Sequence, residues 1–209
     1  MQETDQSLQT LQDIKRMMER SSRFISLSGW SGISAGTCAL IAAWVTSKRI
    51  DCWRIGDCLF PQLSGGGAAD LKRDLFIIGG ITFIAASVTA FIFTFVRSKK
   101  NGTPIWNLMV RRLMWSVMIP LLAGGCLLYR MIQLEQFELV APGCLIIYGL
   151  ALLNGSKYTL GEIRYLAIGQ LILGIINLWM IGYGLHFWAL GFGVLHIMYG
   201  IWMWFKYER

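Results

Sequence analysis

Five stretches of the chain, 24–46, 75–96, 113–129, 139–156 and 165–205, contain no Asp, Glu, Lys or Arg. They are apolar on all sides, without the period-two alternation of a membrane strand. A helix rises about 1.5 Å per residue, so a hydrocarbon layer about 30 Å thick needs roughly 20 such residues. The last stretch is long enough for two passes, which predicts a tight helical hairpin turning at Gly182, Tyr183 and Gly184. The pattern therefore predicts six transmembrane helices, over about 24–46, 75–96, 111–130, 139–156, 165–183 and 187–205. Lipid offers no partner to backbone polar groups, which is why these spans must be helical. The third and fourth charge-free runs are the shortest, with Pro120 inside one and Pro142 in the first turn of the helix predicted from the other. If both were re-entrant or interfacial, four spans would remain.

Outside these runs the pattern changes. In residues 1–23, Leu8, Leu11, Ile14 and Met18 recur at helical spacing among polar neighbours, predicting a short amphipathic helix. It is either a seam for a cytoplasmic partner or self-association, or a helix lying on lipid headgroups. Residues 48–74, with Pro61 and Gly65, Gly66 and Gly67, form an irregular connection too short for a domain, and residues 206–209 form a tail. No cleavable leader is expected, since the first 20 residues are polar. Short similarities link the spans: Ala35–Leu40 with Ala123–Leu128, and Tyr148-Gly149 with Tyr199-Gly200. The fold class is all-α, an integral membrane bundle of six helices in three hairpins.

Composition agrees: 55% of residues are hydrophobic, 15% charged, and mean hydropathy is +0.53. The net charge of +7 takes its meaning from its placement. With six alternating spans, one side holds Lys15, Arg16, Arg20, Arg23, Arg97, Lys99, Lys100, Arg111, Arg112, Lys157, Arg164, Lys206 and Arg209. The other holds Lys48, Arg49, Arg54, Lys72, Arg73 and Arg130. The richer side is cytoplasmic by the positive-inside rule, so both termini are expected there. The basic excess then serves orientation and attraction to the lipid bilayer, and no nucleic-acid partner is expected.

Few residues offer chemistry. Ser28, Gly32 and Gly36 lie four apart on one face of the first span, spacing that allows close helix packing. Gln170 and Asn177 share a face of the fifth span, and His196 lies at intermediate depth on the sixth. Together they are either a polar ligand-binding cluster or interhelical hydrogen-bonding groups. Cys52 and Cys58 fall in the outer connection, where an oxidising compartment favours a disulfide; free thiols, or metal ligands joined by His186, are the alternatives. His186 and His196 are about 15 Å apart along one helix, too far to share a haem. The spans contain no carboxylate or lysine of the kind ion-coupled transport uses. No catalytic residue, metal site or cofactor is expected.

The stretch from Leu11 to Gly29, LQDIKRMMERSSRFISLSG, and the end Leu195-His196-Ile197-Met198-Tyr199-Gly200 resemble uncharacterised polytopic inner-membrane proteins of the Bacteroidota type. The resemblance implies a bacterial inner-membrane location and carries no activity. Two roles are expected on these grounds. One is a non-enzymatic accessory or regulatory protein working through its N-terminal helix; the other is a small-solute or lipid facilitator or ligand-binding protein. A lipid-acting enzyme is the weakest of the three.

Overall fold

The structure, a computed structural model, describes residues 28–55, 68–100 and 108–207, with the backbone alone at 51–55 and 68–72. Every regular element among them is helical: α1 (Gly29–Ile55), α2 (Ala68–Lys100), α3 (Leu108–Gln133), a 3-10 turn (Phe137–Leu139), α4 (Val140–Gly155), α5 (Ile163–Trp179) and α6. Helix α6 runs over Gly184–Tyr207. It starts as α-helix, winds as π-helix over Ala189–Leu195, and returns to α-helix at His196. The last connection turns through Gly182 at φ 92°, a left-handed conformation that glycine adopts without strain.

Among the described residues, four helical stretches are long and apolar enough to cross a membrane: Arg73–Lys100, Leu108–Gln133, Phe137–Gly155 and Gly184–Tyr207. The third and fourth apolar runs, the doubtful pair by length, are among them. Helix α3 continues through Pro120, and the 3-10 turn extends α4 at its start. The two that fall short are α1 and α5. Helix α1 has 27 residues, but glycine, serine and threonine dilute its apolar content. Helix α5 has only 17, because the hairpin turn begins after Trp179 instead of at Gly182. Both spend much of their surface on helix contacts, which accounts for the small and polar residues they carry.

Successive helices pack antiparallel in every pair except α2 and α3, which do not pack closely on each other. Arg49 near the end of α1 binds Asp74 near the start of α2, while Trp30 stacks on Phe93 at the other end. Gly124 of α3 lies against Ile147 of α4, and Gly155 of α4 against Val117 of α3. Gly174 of α5 abuts Ile146, and Gly149 of α4 abuts Ala167 and Leu171. Helix α1 closes onto α6. A Cβ on Gly32 would sit 3.1 Å from both the Gly200 Cα and the His196 carbonyl, and one on Gly36 would sit 2.7 Å from the Gly193 carbonyl. Gly29, one position after buried Ser28, meets the Gly200 carbonyl in the same way. The face of α1 carrying Ser28, Gly32 and Gly36 is thus turned toward α6, where only small residues let the backbones approach this closely.

The core lies among α4, α5 and α6, where Leu145, Ala151, Ala167 and Met203 are buried. Helix α2 packs mainly on α1 and α3 mainly on α4, so both stand at the periphery with large apolar side chains exposed. Hydroxyls along the helices bond back to their own backbone, as Ser34 does to the Ser31 carbonyl at 3.0 Å and Thr82 to the Ile78 carbonyl at 2.7 Å. Such back-bonding satisfies a hydroxyl without water.

Candidate functional site

The π-turn of α6 creates the principal polar feature. An i→i+5 turn displaces carbonyls from the regular ladder, and such turns recur at functional positions. Here the Gly191 carbonyl accepts from two side chains. Gln170 Nε2 donates to it at 2.8 Å, and His196 Nδ1 lies 3.0 Å from it. A carbonyl can only accept, so Nδ1 carries the ring proton. Nε2 is then the acceptor, and the Tyr148 hydroxyl donates to it at 2.9 Å. The 3.4 Å approach of Gln170 Nε2 to His196 Nδ1 is two donors converging on one carbonyl, not a bond between them. The same carbonyl fixes the orientation of the glutamine amide, because a flipped amide would set oxygen against oxygen at 2.8 Å.

Gln170 is 0% and His196 6% exposed. Gly191 is required where it stands: a Cβ there would meet Leu145 and lie 2.6 Å from Gln170 Oε1. That oxygen has no hydrogen-bond partner among the described residues. The network joins α4, α5 and α6 at the centre of the bundle. Tyr148, Phe192 and His196 also pack as rings, with centroids 5.1 to 6.0 Å apart, and Trp188 lies 5.2 Å from Phe192.

Asn177 is buried at 3% exposure, two turns from Gln170 on the same face, but among the described residues its Nδ2 has no partner, and no bond joins it to His196. The cluster expected from the sequence is therefore present as Gln170 with His196, and Asn177 stands apart. Sequence reasoning missed Tyr148 and Gly191. The Tyr148-Gly149 and Tyr199-Gly200 pairs were a signal for the first; Tyr199 also buries its hydroxyl, without a partner among the described residues. The Cys52–Cys58 pairing lies outside the described residues, as does the amphipathic N-terminal segment. His186 is exposed at the start of α6, its ring 6.0 Å from that of Tyr183.

A cavity of about 430 Å³ lies beside this core and is separate from it. Ala42 and Thr46 of α1, Leu75, Phe76, Ile78, Gly79, Gly80 and Thr82 of α2, Ile132 of α3, Val140, Ala141 and Cys144 of α4, and Leu185 and Trp188 of α6 contribute to its walls, with Phe137 before α4. All lie toward the ends where α1 joins α2, α3 joins α4 and α5 joins α6. Gly79 and Gly80 open the α2 wall, since a Cβ on either would meet nothing within 4 Å. Its surface is almost entirely hydrocarbon, with Thr46, Thr82 and Cys144 as the exceptions. Trp188 and Phe192 connect it to the Tyr148–His196 pair.

The opposite end is closed by charge. Glu162, between α4 and α5, accepts from Lys206 Nζ at 2.5 Å and from the Tyr207 hydroxyl at 2.8 Å. Burial pushes the Glu162 carboxyl up, but the bonds from Lys206 and Tyr207 outweigh it and hold it below the usual value. Arg97 of α2 donates to the Tyr207 carbonyl at 3.3 Å, so α2, α6 and the α4–α5 connection meet at this end. No protein family, curated protein or solved structure matches the chain.

Proposed function

We propose that this is a six-span inner-membrane protein, with both termini cytoplasmic, that binds a lipid-like molecule by seating an acyl chain in the groove between α2 and α4. The six-span count draws support from the antiparallel packing of α1 with α2, of α3 with α4, of α4 with α5 and of α5 with α6. Helix α1 has length enough at 27 residues, and α5 at 17 would span about 26 Å. The orientation draws on the distribution of arginine and lysine, and the inner-membrane location on the sequence resemblance.

The observation that carries the binding role is the groove. At about 430 Å³ it falls in the range of small-molecule sites, roughly 300–1,000 Å³. Its walls are apolar and come from helices at the rim of the bundle, where lipid chains are the solvent. The polar core serves this role indirectly, by fixing α4, α5 and α6 in register behind the groove. An accessory role through residues 1–23 rests on sequence pattern alone, so the ligand-binding role is the stronger.

Native mass spectrometry of the full chain, extracted in mild detergent, tests this. One chain-bearing lipid should remain bound to the wild type and be lost when Gly79→Leu and Gly80→Leu fill the groove. Both glycines face open space, so the substitutions add bulk without a clash in the bundle. A filled-groove variant that retains the lipid, or a wild type that retains none, overturns the proposal.

A further inference from the structure

The α6 wall of the groove depends on the π-turn. Such a turn carries one residue more than an α-turn, bonding i to i+5 instead of i+4. It spans Ala189–Leu195 and directly follows Leu185 and Trp188, the α6 residues that line the groove. Suppose instead that Ala189–Leu195 wound as α-helix, with the segment from His196 onward held in place. At 3.6 residues per turn, Gly184–Trp188 would then rotate by one residue, about 100°. Ala189 would stand where Trp188 stands, and His186 where Leu185 stands. A methyl group would replace an indole on the wall, and an imidazole would replace a hydrocarbon side chain.

The π-turn is anchored from outside its own backbone. In a regular α-turn the Gly191 carbonyl would accept from the Leu195 N–H, four residues on. Here Gln170 Nε2 of α5 donates to it at 2.8 Å, and His196 Nδ1 at 3.0 Å. Gln170 and His196 are both buried. An α-turn would draw that carbonyl back into the ladder and strand two buried donors, with no water to replace it. The anchors also reach the wall directly, because the Phe192 ring inside the turn lies 5.2 Å from Trp188 and 6.0 Å from His196.

We infer that Gln170, backed by His196, is a positioning residue for the groove: its bond to the Gly191 carbonyl holds the π-turn, and the π-turn presents Trp188 and Leu185 to the ligand. The inference rests on the groove-binding role proposed above and adds what sets the shape of the α6 wall. Either donor alone satisfies the carbonyl, so the register is lost only when both are removed.

The test uses the full chain in mild detergent, with Cys144 kept as the only native cysteine. Cys144 lines the groove from α4. Gly184 abuts Ala141, so Cys144 and Trp188 lie about one turn farther along their helices, at a common level. A short bismaleimide should join Cys144 to Trp188→Cys and not to Ala189→Cys. In Gln170→Leu/His196→Leu the cross-link should be lost at Trp188→Cys and gained at Ala189→Cys. Bound lipid, counted by native mass spectrometry without the added cysteines, should be lost as well.

Deleting exposed Leu190 removes the extra residue, so an α-helical α6 would keep the original wall. In that background the double substitution should leave both the Trp188→Cys cross-link and the lipid in place. If the double variant alone fails to fold by circular dichroism, the deletion should restore folding too. This rescue separates register from general destabilisation. A folded double variant that keeps the wild-type cross-link, lipid retained after the cross-link has moved, or a deletion that rescues nothing overturns the inference. If the cross-links behave as expected and the wild type holds no lipid, the groove-binding role falls and the register assignment stands.

Discussion

The side chain of Asn154 in α4 donates from Nδ2 to the Ser116 carbonyl of α3 at 2.8 Å, and Ser116 is the residue four before Pro120. Proline has no N–H, so it leaves that carbonyl without its helical donor and crowds it with its ring. In water a solvent molecule would replace the bond. In lipid the partner must come from protein. Asn154 supplies it, and α3 runs on as one helix to Gln133.

This pairing makes a double-mutant cycle informative. Asn154→Leu should destabilise the protein by about 1 kcal/mol, the usual worth of one such bond. Pro120→Ala restores the N–H at 120, so in that background Asn154→Leu should cost much less. Unfolding in mixed micelles measures both. Equal costs in the two backgrounds would show that Asn154 acts through packing alone.

A second prediction concerns the polar core. His196→Leu removes the acceptor for the Tyr148 hydroxyl and one of two donors to the Gly191 carbonyl. Polar contacts inside membrane proteins average about 0.6 kcal/mol and reach about 1.7. The loss here should lie at the upper end, because two buried groups lose a partner. Tyr148→Phe removes the donor and leaves His196 Nε2 without its bond, and the two substitutions together should cost less than the sum of each alone. Lipid binding should survive in all three variants, since neither residue lines the groove.

How much of this was legible in the sequence depends on what fixed each feature. Charge-free runs located the helices because lipid excludes charge at every position of a span, a local rule. Their ends were not legible: α1 continues to Ile55 and α2 begins at Ala68, past the charged limits of their runs, because helical hydrogen bonding does not stop at the headgroups. The spacing of Ser28, Gly32 and Gly36 marked a contact face but not its partner α6. Gln170 and His196 stood out as rare polar residues in apolar runs. Tyr148 did not, because tyrosine is common at membrane interfaces and only the packing of α4 on α6 brings it to His196. The π-turn at Ala189–Leu195 and the groove were invisible for the same reason. Both arise from how helices far apart in sequence meet.

The close approach of α1 and α6 gives a third prediction. A Cβ on Gly200 would lie 2.6 Å from both the Gly29 carbonyl and the Ile33 backbone nitrogen. These are backbone atoms that cannot move aside, so Gly200→Leu must separate the helices. It should destabilise the bundle by about 2 kcal/mol or more, the scale of overpacking a close-packed site. Gly161→Ala, where a Cβ meets nothing, is the control and should be near neutral. A Gly200→Leu protein as stable as the control would mean α1 does not pack on α6.

Topology is tested by reporters. With thirteen of the 19 basic residues on one side, fusions after Arg23 and after Arg209 should report cytoplasm, and an insertion at Gly66 should report the outside. A cytoplasmic signal from Gly66 would invert the orientation and move the proposed lipid groove to the inner leaflet.

The Glu162 cluster predicts a pH dependence with a definite sign. Its carboxyl is held below the usual value of 4.5 in the folded protein, by Lys206 and Tyr207 acting against burial. The folded state therefore binds the proton less tightly than the unfolded state, and the ionised carboxylate contributes stability. That contribution is complete above the unfolded pKa, declines as pH falls below it, and is gone once pH has passed through the lower folded pKa. Wild type should thus exceed Glu162→Gln in thermal stability at neutral pH, and the two should converge as the solution is acidified through the carboxylate range. Lys206 is exposed, so screening makes the gap small and salt should narrow it further. The same comparison reads the closure of this end, because Arg97 reaches the Tyr207 backbone that the cluster positions. If the gap between wild type and variant stays constant from neutral to acidic pH, Glu162 contributes through shape and not through its charge.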